Sequence, residues 1–206
     1  MKYTFVLLLG YLLIGCGGPT GTDDHAGHDH STMDHASMDH SKMQSSPDAA
    51  AAPLELQFLD TMILHHQGAI DMAKLGDTNA GRPEMKQFTQ AIIAEQDREI
   101  TQMKRWRDEW HKDVQPAVNM AFPGMASGME GMDGVKLSAL SGNEFDVEFA
   151  RQMILHHEGA VAMSNHLLES NGGDAPRKEL KLLAEAIVKD QSREIEQMKK
   201  WLAEWK

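Results

Sequence analysis

The chain has 206 residues, a formal net charge of −11, 15 methionines, 11 histidines and one cysteine. That length allows one sizeable core or two small ones, and the acidic balance argues against nucleic acid and against charge-driven binding to anionic lipid. A lone cysteine excludes an internal disulfide framework, so any further soft ligand must be methionine.

The first residues, MKYTFVLLLGYLLIGC, join an early lysine to an apolar run from Phe5 to Ile14. That run is too short to span a bilayer, and it predicts a cleaved export signal over residues 1–15. Leu13-Ile14-Gly15-Cys16 matches a bacterial lipobox. The match predicts lipidation of Cys16 and a membrane-anchored lipoprotein facing the periplasm or the cell exterior. An ordinary signal peptide with an incidental cysteine is the plainer alternative. Residues 17–53 are rich in Gly, Ser, Asp, His and Ala, with almost no large aliphatics. With Cys16 they read as a disordered tether, because so little apolar surface cannot offset the entropy of ordering.

Inside that tether, DHSTMDHASMDHSKM (Asp29 to Met43) is three D-H-x-x-M units laid end to end. A thioether needs no deprotonation to bind a soft ion, and imidazole is mostly neutral near pH 7. His25, His28, His30, His35 and His40, with Met33, Met38 and Met43, therefore read as a flexible metal collector. Taken alone, such a tract suits Cu(II) or Zn(II) as well as Cu(I).

Helical periodicity begins at Leu54, and residues 54–206 contain an internal repeat. FLDTMILHHQGAIDMA (Phe58 to Ala73) matches FARQMILHHEGAVAMS (Phe149 to Ser164) at an offset of 91 residues. IIAEQDREITQMKRWRDEW (Ile92 to Trp110) matches IVKDQSREIEQMKKWLAEW (Ile187 to Trp205) at an offset of 95. Each half, 54–115 and 135–206, reads as a helix, a turn and a second helix. Pro83 and Pro176 stand where the second helices should begin. No stretch alternates with period two, so two helical hairpins stacked as a four-helix bundle are predicted. The linker 116–134 has enough Gly and Pro to break helices. Its Met120, Met125, Met129 and Met132 make it either a spacer or a third soft site.

The faces of these helices carry the chemistry. Steps of four and three from Phe58 give an inward seam of Phe58, Met62, His65, Ala69 and Met72, and the copy gives Phe149, Met153, His156, Ala160 and Met163. His66 and His157 fall at the seam's edge, within reach of Met62 and Met153 at i+4. The second helices present Ile92, Gln96, Glu99, Met103, Trp106 and Trp110, repeated as Ile187, Gln191, Glu194, Met198, Trp201 and Trp205. A buried amide or carboxylate is costly unless paired, so the facing histidines and methionines are expected to satisfy Gln96, Glu99, Gln191 and Glu194. The plain alternative is a core in which His is hydrogen-bonded and Met is filler. Met and His together on both seams favour a metal. Thioether with imidazole selects Cu(I), and Ag(I) by extension. Zinc would leave the methionines unused, and a di-iron site wants E-x-x-H steps that the chain lacks.

FDVEFARQMILHHEGAVAMS with QSREIEQMKKWL, and their first-half counterparts, resemble the ferritin-like family known as domain of unknown function 305. The resemblance covers Leu54 to Lys206, with Glu55 standing where the second half has Asp146. It implies an exported ferritin-like bundle, in some members a periplasmic copper-binding protein that contributes to copper resistance. It also implies metal roles for Met62, His65, His66, Met72, Met153, His156, His157 and Met163, while Glu99, Met103, Glu194 and Met198 match its second signature.

The expected function is sequestration or delivery of Cu(I) by Met and His, with Glu99 and Glu194 accepting imidazole N–H groups behind the ligands. A copper exporter or another copper-handling protein is the expected receiver. With no nucleophile–base pair and no phosphate loop, binding is expected rather than catalysis. A cuprous or ferrous oxidase on the same bundle, and a structural or interaction lipoprotein without metal, are the rival readings.

Overall fold

The computed structural model describes residues 43–171, 173 and 175–205. Cys16 and the collector residues His25, His28, His30, Met33, His35, Met38 and His40 lie outside them. Among the described residues seven α-helices follow a short 3-10 turn at Ala49–Ala51: α1 (Leu54–Lys74), α2 (Gly76–Asn79), α3 (Pro83–Trp110), α4 (Met125–Glu130), α5 (Gly134–Ser138), α6 (Gly142–Glu169) and α7 (Lys178–Glu204). Among the described residues no helix is long and apolar enough to cross a membrane.

The four long helices form a bundle of two hairpins. α1 packs on α3, α6 packs on α7, and the hairpins meet through α1 and α6. The seams read from the sequence are the core: Phe58, Phe149, Met62, Met153, Ala69, Ala160 and Met163 are fully buried, and Met72 nearly so. Full burial of a side chain such as Phe58 is worth about 1.5–3 kcal/mol each, so packing can supply the stability that disulfides do not.

Two reciprocal clamps tie the halves together at the helix starts. Asp146, fully buried on α6, accepts from the backbone N–H groups of Gly81 and Arg82 at 2.9 and 3.0 Å and from Arg82 Nη1 at 3.0 Å. Glu55 on α1 accepts from the backbone N–H and Nη1 of Arg177. Each carboxylate thus takes orphan donors at the start of the other half's second helix. The guanidiniums then lie over indoles, Arg82 4.4 Å from Trp205 and Arg177 4.7 Å from Trp110. Glu55 and Asp146 do the same work at equivalent positions. The clamp also explains where α7 begins: Pro83 opens α3 as expected, but α7 starts at Lys178, after the Arg177 N–H that Glu55 has taken.

The linker is built into the fold. Its glycines predict broken helices, yet α4 and α5 form within it, and α4 lies across α6 and α1. Contact with α6 is backbone to backbone. A Cβ on Gly159 would sit 2.7 Å from Gly124 O and 2.7 Å from Gly128 Cα, and Gly124 has φ +96°, a conformation that favours glycine. Upstream, Ser46 N donates to Val118 O at 2.8 Å and Met120 N to Ser45 Oγ at 2.9 Å. The residues following the tail are thereby fastened to the linker, with Met43 packed against the core.

Candidate metal centre

Helix spacing decides what stands at the centre. With 3.6 residues per turn, His65 and His66 leave α1 in adjacent directions, as His156 and His157 leave α6. His65 and His156 meet where the hairpins cross, with ring centroids 3.7 Å apart and planes at 32°. His156 donates from Nε2 to the backbone carbonyl of His65 at 2.9 Å. His66 and His157 turn the other way, toward α3 and α7. There His66 Nε2 donates to Glu99 Oε2 at 2.7 Å and His157 Nε2 to Glu194 Oε2 at 2.8 Å. All four rings are fully buried. His66 and His157, expected at the seam's edge, have no exposure because the glutamates draw them under the second helices.

Nitrogen lone pairs remain inside this centre. Neither Nδ1 nor Nε2 of His65 has a partner, nor does Nδ1 of His66 or of His157. A buried polar atom without a partner costs about 1–3 kcal/mol, and three rings carry at least one. The thioethers of Met62, Met103, Met153 and Met198 are fully buried in the same core cluster, with Met72 and Met163. Neutral imidazole nitrogen and thioether sulfur, buried together away from water, are the donor types that a soft monovalent ion takes, so the residues fit that cargo.

Burial holds the His65 imidazole well below its usual range, and repulsion from His156, His66 and His157 adds to the effect. His65 is therefore neutral at pH 7. The unfolded chain takes up a proton near pH 6.5 that the folded chain refuses. Above that pH the residue contributes no pH dependence; below it stability falls by about 1.4 kcal/mol per pH unit from this residue. Urea midpoints at pH 7, 6 and 5 should show that slope, and His65→Gln should reduce it. An unchanged slope in the variant would refute the assignment.

Gln96 and Gln191 do not find the expected partners. Both are buried, and Oε1 of each accepts no hydrogen bond. The linker, in contrast, contributes more than its sequence suggested. A Cβ on Gly128 would lie 2.7 Å from His65 Nε2, and a Cβ on Gly68 would lie 3.2 and 3.3 Å from the methyls of Met132 and Met129. Gly68 and Gly159 are the same position of the repeat: one admits the linker's methionines, the other its backbone. Met125 and Met129 are buried and Met132 nearly so, on the side of the centre where α4 covers it. The glycine in each H-H-x-G-A motif was the available signal.

The profile described as Domain of unknown function (DUF305) matches residues 12–107 and 55–202. A solved structure of CopM in the Cu(I)-bound form is 38% identical, with a TM-score of 0.61, over 73% of this chain and 96% of that one. CopM in an Ag-bound form obtained by co-crystallization matches with the same identity, TM-score and coverage. A DUF305 protein from Streptomyces coelicolor, described as secreted, is 28% identical at a TM-score of 0.61, over 74% of this chain and 92% of that one. No curated protein matches the chain.

Proposed function

The chain belongs to the DUF305 family, and on that premise we propose that it binds Cu(I), and Ag(I) through the same soft chemistry, rather than catalysing a reaction. The observation that carries this reading is the fully buried His65, with neither ring nitrogen partnered, stacked on His156 and one turn along α1 from the fully buried Met62. Similarity to CopM solved with Cu(I) and with silver supports it.

The ligands in this reading are His65 and His156 with Met62 and Met153, joined by Met129 of α4 and Met132 just beyond its end. Met72, Met163, Met103 and Met198 supply further thioethers, and the His66 and His157 Nδ1 atoms further nitrogens. Glu99 and Glu194 hold His66 and His157 by Nε2–H, which leaves Nδ1 of the neutral ring as the donor atom. Met132, at 9% exposure, is the outermost thioether of the set and the point where an ion enters. The D-H-x-x-M tail gathers ions, including Cu(II) and Zn(II), through its residues before Met43, which itself packs against the core. Export, lipid anchoring at Cys16, a role in copper homeostasis and transfer to a copper exporter or another copper-handling protein complete the proposal.

The test is an anaerobic titration with Cu(I) against a competing chelator, run on the chain from Gly17 and on one from Met43. Both should compete, and the double variant His65→Ala/His156→Ala of the shorter chain should lose that competition while remaining helical. Retained competition in the folded variant would leave these histidines as core residues. Competition by the longer chain alone would move the copper chemistry to the tail.

A further inference from the structure

The cleft between α3 and α7 gathers more oxygen atoms than the holding of His66 and His157 uses. Glu95, Gln96 and Glu99 line one wall and Asp190, Gln191 and Glu194 the other, with Ile92 and Ile187 as the apolar part of the lining, around a cavity of about 10 Å³. That is room for one water-sized occupant. The two walls are copies of each other through the 95-residue repeat. Glu99 and Glu194 hold the histidines, but the soft-metal chemistry has no use for Glu95 and Asp190.

Two independent strains meet in this cleft. The Gln96 and Gln191 side chains are 2% and 4% exposed, and the Oε1 atom of each lacks a donor. Burial, reinforced by Glu99, Glu194 and Asp190 and opposed by Arg98, pushes the Glu95 carboxyl up from its ordinary value. Undonated amide oxygens and mutually repelling carboxylates are both relieved by one cation. An all-oxygen set selects a hard divalent ion, and irregular oxygen sites of six or more ligands suit Ca²⁺.

Among the described residues no three His, Cys, Asp or Glu side chains converge on a metal position as they stand. Glu95 and Asp190 instead turn to Arg98 and Arg193 on their own helices, at 3.1 and 3.3 Å. Those arginines are 71% and 68% exposed, and such surface pairs are worth little, so rotating both carboxylates inward costs little. Glu99 and Glu194 use Oε2 toward the histidines, which leaves Oε1 for the cleft.

We propose that this cleft binds one Ca²⁺-type divalent cation, held by Glu95, Asp190 and the amide oxygens of Gln96 and Gln191, with Glu99 and Glu194 completing the shell. The site does not rest on the Cu(I) reading, although Glu99 and Glu194, bonded to His66 and His157, would be shared by the two sites. It would bridge the second helices of the two halves.

Calorimetric titration of the chain from Gly17 with CaCl₂, checked by Mn²⁺-induced water relaxation, tests the site. One ion per chain is expected, with a dissociation constant of about 1 mM or tighter. Glu95→Gln/Asp190→Asn should weaken binding at least tenfold without changing the circular dichroism. Arg98→Ala should tighten it by freeing Glu95. Absence of Ca²⁺ and Mn²⁺ binding at millimolar concentration would overturn the proposal. So would binding that survives the double variant, since the tail's aspartates would then be the ligands. Cu(I) competition, measured on the same variants, should be unchanged, so failure of one reading leaves the other standing.

Discussion

Asp146→Ala should lower folding stability by about 3 kcal/mol, read as a lower urea midpoint at an unchanged m-value. The residue is fully buried and accepts three hydrogen bonds, two from backbone N–H groups and one from the Arg82 guanidinium. Alanine leaves all three donors without an acceptor. Arg82 is 28% exposed, so water reaches it and keeps the loss below the roughly 5 kcal/mol of a fully buried broken pair. Glu55→Ala removes the equivalent clamp, but Arg177 is 44% exposed, and the smaller loss is expected there. Equal losses at both positions would contradict burial as the cause.

Gly128→Ala should disturb the centre directly. The added methyl would lie 2.7 Å from His65 Nε2 and 3.3 Å from the carbonyl oxygen of His156. His65 has little room to step aside, because its ring already stacks on His156 at 3.7 Å. Overpacking of this kind costs about 1–3 kcal/mol. On the copper reading the methyl also covers Nε2, and Cu(I) competition should weaken at least tenfold, equivalent to about 1.4 kcal/mol. Gly134→Ala is the control, since nothing lies within 4 Å of its added Cβ. A Gly128→Ala chain that is destabilised yet binds Cu(I) as the parent does would show that Nε2 of His65 does not face the metal.

The parts of the fold that were legible share one property: they depend on local spacing. The seam of Phe58, Met62, His65, Ala69 and Met72, its copy on α6 and the start of α3 at Pro83 follow from the 3.6-residue period and from proline's fixed φ. The pairing of His66 with Glu99 and of His157 with Glu194 was foreshadowed by the cost of burying a carboxylate. Which histidine would take which role was not. Adjacent residues on a helix differ by about 100° in direction, and only the placement of the neighbouring helices decides which direction meets the other hairpin and which meets a glutamate. The linker was misjudged for a related reason. Its glycines read as helix breakers, whereas Gly124 and Gly128 serve close approach to Gly159 of α6.

By itself, then, the sequence determined a duplicated pair of helical hairpins with Met and His on their inward faces, because periodicity and repetition are properties of the chain read along its length. Only the tertiary structure decided that His65 and His156 stack while their neighbours bind glutamates. The same holds for Glu55 and Asp146 locking each half to the other, for the linker's methionines closing over the centre, and for carboxylates of α3 and α7 facing one cleft. Each of these is a contact between residues far apart in the chain, set by how the helices cross.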